Sequence, residues 1–455
     1  MLPTARRVLS GWGRLDPAEC DVVRPGSAAE IRGLLADGPA SPVIARGLGR
    51  SYGDSAVEPD GLVVSYARLN RILAFDPTAG VLVCEAGVSI AEIVETFLPR
   101  GFLPPVTPGT KHVTVGGAIA ADIHGKNHHV DGTFSCFVDG FELVTADGRL
   151  VACSRESNPG LFWATVGGMG LTGFILSATI RLLAVETAYV ESTVRRAGSL
   201  DEALEQFEAD DNEAKYSVAW IDSLAKGRSL GRSVMIRGQH APLAALTTSA
   251  RREALRIAPR RSVGVPFHLP SSSLNRFTVA AFNALYYRLN RPKRTVQHYD
   301  KFFYPLDSIS NWNRVYGKRG FIQYQALFPP RSSREGTIAL LEVIAGAGAG
   351  SFLTVFKKTG PEGPGLLSFP RAGYTLALDI PNSGVRLQPL VRSMDRIVLR
   401  HGGRLYLAKD SMMDRETFDA MYPRAARFRE VKRRVDPDDR FLSRQARRLG
   451  LTARG

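Results

Sequence analysis

Two glycine-rich segments, at 45–54 and 108–126, constrain this 455-residue chain more than any other feature. The first reads Ala45-Arg46-Gly47-Leu48-Gly49-Arg50-Ser51-Tyr52-Gly53-Asp54, followed by Ser55. The second carries Gly109, Thr114, Val115, Gly116, Gly117, Ala121, Asp122, Ile123, His124, Gly125 and Lys126. Glycine lets backbone N–H groups approach a phosphate closely and takes left-handed angles that other residues resist. Two such loops, interleaved with apolar, strand-like residues, predict a shared clamp on one large dianionic cofactor. A pyrophosphate fits that description, and FAD is the best candidate.

The length predicts two domains, each with its own core. A formal net charge of +15 favours an anionic partner: a phosphorylated substrate, an anionic membrane surface or a nucleic acid. No helix-turn-helix, zinc-finger or RNP pattern supports nucleic acid, so none is expected as a partner. Cys20, Cys84, Cys136 and Cys153 form no C-x-x-C pair and read as free, buried thiols rather than a disulfide framework. His112, His124, His128 and His129 lack carboxylate or thiol company at ligand spacing, so no metal site is expected. No apolar stretch reaches the ~20 residues needed to cross a bilayer, and no apolar run follows the basic N-terminus as in a cleaved signal. A cytoplasmic location is expected, with a periplasmic one left open.

Along the chain, Ser27-Ala28-Ala29-Glu30 reads as a capping box opening a helix. Pro42 to Ala45, Gly61 to Ser65 and Gly80 to Glu85 read as strands, and Ile90 to Phe97 as a helix. Phe141 to Val151 reads as a hairpin with Asp147-Gly148 in a primed turn. The glycines do not form a G-x-G-x-x-G strand-to-helix fingerprint, which weighs against a Rossmann domain. Beyond Tyr189, strand candidates such as Tyr216 to Ile221, Phe321 to Phe328, Ser351 to Lys358 and Tyr374 to Ile380 alternate with helices. The expected fold is α+β, its second part built on an antiparallel sheet.

Residues 251–294 are unusual. They carry Arg251, Arg252, Arg256, Arg260, Arg261, Arg291, Lys293 and Arg294 around a helix candidate. Its apolar stripe is Leu274, Phe277, Ala281, Phe282, Leu285 and Leu289. A basic amphipathic helix can lie in a membrane interface, but such stripes usually form core. The residues alone therefore favour a helix packed on its own domain.

These motifs together resemble a family. Arg46-Gly47-x-Gly49-Arg50-Ser51-Tyr52-Gly53, Pro108-Gly109-Thr110, Gly116-Gly117-x4-Asp122-Ile123-His124-Gly125 and Gly168-Met169-Gly170-Leu171-Thr172-Gly173 resemble the PCMH-type FAD-binding domain of the vanillyl-alcohol oxidase superfamily. Within it, His124 to His129, Tyr304 to Asp307, Gln323-Tyr324-Gln325, Gly402 to Ser411 and Lys432-x3-Asp436-Pro437-x3-Phe441 are similar to the decaprenylphosphoryl-ribose oxidases, the flavin subunits of an epimerase. The resemblance implies an FAD domain over 1–186, an inserted substrate domain over 187–403, and a segment 404–455 returning to the FAD domain. It implies FAD bound non-covalently, since covalent members carry a histidine where this chain has Arg50. It also gives the basic stretch a use as a peripheral, membrane-facing element.

The same resemblance assigns roles. Residues 46–55 and 114–117 should hold the pyrophosphate and ribityl chain, with Ile175 and Tyr406 also at the cofactor. Lys126, Trp220, Tyr304, Gln325, Lys357, Ala377 and Lys409 match the substrate pocket. Mycobacterial relatives carry a cysteine at the position of Ala377, so thiol-directed inhibitors should fail to attach here. Alcohol oxidation by a flavin needs a hydride acceptor, a base for the hydroxyl proton and a cation beside the reduced ring. Lys409 suits the base or the cation. Tyr52 and His124 suit proton transfer, or packing and a structural hydrogen bond. The implied activity is oxidation of a polyprenylphosphoryl ribose at its 2-hydroxyl, the keto sugar passing to an NAD(P)H-dependent short-chain reductase as a step towards cell-wall arabinan. The alternative is a soluble aldose, alditol or sugar-lactone oxidase on the same fold.

Overall fold

The computed structural model describes residues 2–209, 214–257, 263–270 and 273–453; Arg260 and Arg261 of the basic stretch lie outside these. Two sheets organise the first 184 residues. One has four strands in the order Thr4–Leu9, Ala18–Val23, Leu62–Ser65, Val43–Arg46, the last three mutually parallel. The other has five antiparallel strands in the order Ile72–Asp76, Val81–Glu85, Phe174–Arg181, Val138–Val144, Leu150–Ser154. The helix Ile90–Phe97 begins at a full capping box between Ser89 and Glu92. At Ala28–Ala36 the reciprocal bond is displaced: Ser27 accepts from the Glu30 N–H, while the Glu30 carboxylate accepts from Gly26.

Two local expectations are corrected. The apolar residues of the second glycine segment form a helix, Val115–Ala120, N-capped by Thr114. Threonine at the cap and the close fit of Gly116 on Ala86 override the strand-like appearance. The hairpin turn is not a primed two-residue turn. Thr145 and Arg149 still pair, the Gly148 N–H donates to the Thr145 carbonyl at 2.9 Å, and only Gly148 takes a positive φ, +79°. That is a type I turn closed by a glycine bulge.

An eight-stranded antiparallel sheet follows, ordered Lys293–His298, Tyr189–Ala197, Ser233–His240, Tyr216–Ile221, Thr354–Thr359, Gly373–Pro381, Phe321–Phe328, Arg404–Leu405. Strand alternation splits it into two faces. Phe356, Leu376, Leu378 and Ala326 point into a core covered by the helices Leu200–Ala209, Ser333–Ala347 and Leu387–Arg400. Trp220, Val355, Ala377 and Gln325, paired across four neighbouring strands, form a row on the opposite face.

The end of the chain returns to the beginning. After the helices Arg415–Met421 and Ala425–Val435, the Val43 N–H donates to the Arg440 carbonyl at 2.6 Å and Leu442 donates back to Val43 at 3.0 Å. Fully buried Lys432 holds this crossing, donating to Asp436 at 2.6 Å and to the Phe441 carbonyl at 2.9 Å. Losing either charge would strand the other without water.

The amphipathic stretch forms the helix Arg276–Leu289, but its apolar stripe is not core. Phe277, Leu285 and Leu289 are 78%, 56% and 69% exposed. The buried face is instead Val279 and Asn283, and the Asn283 amide donates to Asp222 at 2.8 Å. That polar pin, with the Tyr286 ring tilted against Trp220 at 4.6 Å, selects the face that docks and leaves the predicted stripe outside.

Candidate active site

The first glycine loop leaves the strand Val43–Arg46 with its donors unspent. Among the described residues, no protein acceptor meets the backbone N–H groups of Gly47, Leu48, Gly49, Arg50 and Ser51. Its ends are tied down: Tyr52 N–H donates to the Ala408 carbonyl at 2.9 Å, and Ser51 accepts from Trp12 at 2.8 Å. Arg448 clamps Asp54 at 2.8 Å and Asp410 at 2.9 Å, joining the loop to the C-terminal segment. A Cβ on Gly47 would lie 2.3 Å from Thr114 Oγ1, and one on Gly53 would lie 1.8 Å from the Asp410 carbonyl oxygen. The two glycine segments thus meet only because side chains are absent. An array of free donors closed by a second loop fits a pyrophosphate.

Three N–H groups of the second segment are already engaged. The N–H groups of Val115 and Gly116 are spent on the carbonyls of Val88 and Ala86, and that of Gly117 on Thr114 Oγ1. The Arg46 guanidinium is likewise spent, on the carbonyls of Ser10 and Ala56. Asp122 accepts from Ser368 at 2.6 Å. Arg50 stacks over Trp12 at 4.2 Å, and its buried Nε has no partner. Ser55, Ile123 and Ile175 are buried, Leu48 is exposed, Gly109 faces open space, and the packing of Gly125 against Asn127 leaves no room for a Cβ.

Lys409 stands where the loop, the C-terminal segment and the eight-stranded sheet converge. Its Nζ lies 3.9 Å over the Tyr52 ring. Burial pulls its pKa down to about 7, against the opposing pull of Asp379. Burial raises the Tyr52 phenol well above its ordinary value, so it keeps its proton. His124 Nε2 faces the Gln325 amide nitrogen at 3.0 Å, while Gln325 also donates to Thr375 at 3.2 Å. With that amide orientation Nε2 is an acceptor already in use, so the ring proton sits on Nδ1, which is buried without a partner. Burial, then Lys357, push the His124 pKa well below normal, so the ring is neutral.

Lys357 projects from the same sheet face, opposite Thr375, with burial drawing its pKa down to about 8. Lys126 is drawn down to about 7 by burial and by Lys357. Its ammonium donates to the Phe302 carbonyl and lies 4.5 Å over the Phe302 ring. Two of the predicted pocket residues and one predicted at the cofactor are already committed. Tyr304 Oη is bonded to Thr107 at 2.7 Å, Trp220 Nε1 donates to the Phe352 carbonyl at 2.9 Å, and Tyr406 Oη donates to the Ala121 carbonyl at 2.8 Å. No thiol shares the site: Cys20, Cys84 and Cys153 are buried elsewhere in the core and Cys136 is exposed. No group of three or more metal-ligating side chains occurs among the described residues.

Sequence reasoning missed the acid of this site. Asp379 is fully buried and accepts from Gln323 at 2.6 Å and Tyr316 at 3.0 Å. Burial raises its pKa to about 7. Strand alternation carried the signal: Asp379 lies two residues from Ala377 and Gln323 two from Gln325, so all four share one face.

Comparisons with known proteins agree with this geometry. Residues 21–154 match the model of an FAD binding domain, and residues 380–449 that of D-arabinono-1,4-lactone oxidase. The chain is 42% identical to decaprenylphosphoryl-beta-D-ribose oxidase of Mycolicibacterium smegmatis over 99% of its own length and 98% of the relative's. The chain belongs to the decaprenylphosphoryl-β-D-ribose oxidase family. It is an FAD-dependent oxidoreductase with the α+β, PCMH-type fold. An uncharacterized Streptomyces coelicolor protein is 34% identical over 80% of this chain and all of its own length. L-gulono-1,4-lactone dehydrogenase of Mycobacterium tuberculosis is a more distant family relation, 22% identical over 97% and 99%.

Proposed function

We propose that this oxidoreductase removes hydrogen from the 2-hydroxyl carbon of a polyprenylphosphoryl ribose, giving the 2-keto sugar. The observation that carries the substrate class is the set of part-buried lysines, Lys126, Lys357 and Lys409, which interact with one another and have Asp379 as the nearby acid. Burying cations without matching anions is costly, and a phosphate diester supplies the missing charge. A neutral lactone or alditol does not, although the lactone-oxidase match at 380–449 keeps that reading as the alternative.

Bound FAD, held non-covalently because Arg50 replaces the linking histidine, supplies the hydride acceptor. The chain supplies the rest. Of the three proton-transfer candidates, Lys409 is the base, because it alone combines a pKa near neutrality with a nitrogen that has no hydrogen-bond partner among the described residues. Tyr52 keeps its proton and holds the ammonium by its ring face. Neutral His124 directs Nδ1–H into the site as a donor, and Lys357 binds phosphate. The keto product then requires a separate NAD(P)H-dependent short-chain reductase to complete epimerisation at that carbon, the arabinose donor serving cell-wall arabinan.

The enzyme meets its substrate as a peripheral protein at an anionic membrane surface. Supporting this is the exposed apolar face of Arg276–Leu289, with Arg288, Arg291, Lys293 and Arg294 close by in the chain. No helix among the described residues is long and apolar enough to cross a membrane. The test of the reaction is the anaerobic visible spectrum of the holoenzyme before and after decaprenylphosphoryl ribose. Bleaching of the flavin is expected. A flavin that stays oxidised with this lipid but bleaches with a sugar lactone would overturn the substrate.

A further inference from the structure

Tyr52, Tyr316 and Phe321 form a small aromatic cluster separate from the main core. Packed against it are Trp12, Leu274, Trp312 and Phe352, all only partly buried. The contacts run without a break from the reacting centre to the exposed helix. Lys409 lies on Tyr52, and Tyr52 meets Phe321 edge-on at 5.6 Å. Phe321 stacks on Tyr316 at 4.0 Å, Tyr316 on Phe352 at 5.7 Å, and Phe352 meets Phe282 edge-on at 5.8 Å. Phe282 is 44% exposed and belongs to the apolar stripe of Arg276–Leu289. Trp312 widens the path, 5.7 Å from Phe321. The inner end is also fixed to the chemistry, since Tyr316 Oη donates to Asp379.

We infer that the partly exposed faces of Phe282, Phe352, Leu274 and Trp312 are the seat of the isoprenoid chain while its phosphosugar end is held beside Lys409. The inference rests on the substrate reading above and adds where the lipid lies. These part-open apolar faces adjoin the exposed stripe of Arg276–Leu289, and clustered apolar surface of this kind marks a binding site. Behind these faces the buried rings of Tyr316 and Phe321 lead to the reacting centre and its cations, and outside them lies the apolar helix. A linear ligand with an anionic head and an apolar tail matches that order, cations at the reacting centre and apolar faces further out. Rigid aromatic faces hold an isoprene unit without losing side-chain rotamers of their own.

The test measures binding to the FAD-loaded enzyme, in the absence of vesicles, by the change in the flavin spectrum. The probes are dimethylallyl phosphate and farnesyl phosphate, which differ by two isoprene units. Farnesyl phosphate should bind wild type at least about tenfold more tightly, as expected for burying several further apolar carbons. The double variant Phe282→Ser/Trp312→Ser should bring that ratio down to about twofold or less, which is loss of most of the apolar gain. An undiminished ratio in the variant, or none in wild type, overturns the inference. If the double variant does not fold, a brominated farnesyl phosphate replaces it as the readout. It should quench wild-type tryptophan fluorescence more than Trp312→Phe, and equal quenching overturns the seat. A chain-length preference without bleaching by the ribosyl lipid would sink the sugar assignment and leave the seat standing. Bleaching with no chain-length preference would do the reverse.

Discussion

Replacing Lys409 with arginine separates its two candidate roles. Arginine keeps a permanent cation near the Tyr52 ring but cannot act as a base at any working pH. With a wild-type pKa of about 7, the neutral fraction of Lys409 rises from about a tenth at pH 6 to about nine-tenths at pH 8. A base-limited rate of flavin reduction therefore climbs about tenfold over that interval. The groups facing Lys409 are Asp379, Tyr52, Lys357 and His124. Of these, Tyr52 keeps its proton and His124 stays neutral across the interval, while Lys357 and Asp379 titrate within or near it. The Asp379 charge raises the Lys409 pKa, so Asp379→Asn should move the midpoint to lower pH. Lys409→Arg should lower the rate by ~10²–10⁴-fold at pH 8 and flatten the climb. The assay is anaerobic stopped-flow reduction at saturating substrate from pH 6 to 8.5. An arginine variant within about threefold of wild type, well inside the range for a lost general base, would refute the base assignment and leave the cation role. So would a wild-type rate that falls as pH rises.

Two further outcomes follow from the same electrostatics. Lys357→Met should weaken substrate binding yet stabilise the protein at pH 7 by about 1–2 kcal/mol, measured by urea unfolding. The folded pKa of about 8 lies below the ordinary lysine value of 10.5, so the unfolded state holds more protons between the two and burial of the cation costs most below pH 8. The gain should therefore shrink towards pH 10, and a gain that is absent at pH 7 would refute it. On the membrane side, wild type should float with anionic vesicles at low salt, and Phe277→Ser/Leu285→Ser should stay with the soluble fraction. Equal flotation of both would remove the helix from the interface.

The glycine loops and the alternation of strand and helix patterns were legible because each is a local pattern with a local physical meaning. They brought out FAD and the α+β class before any coordinates. What the tertiary structure decided depends on distant neighbours. The two glycine segments differ because Ala86 and Val88 consume the N–H groups of Gly116 and Val115, while among the described residues nothing consumes those of Gly47 to Ser51. The Arg276–Leu289 helix reads as core from its stripe, yet Asn283 finds Asp222 sixty-one residues away and turns the stripe outward. Asp379 becomes part of the site only when its strand pairs with Phe321–Phe328. Periodicity reports which residues share a face; which face is buried, and which polar groups remain unspent, is set by partners that only folding brings together.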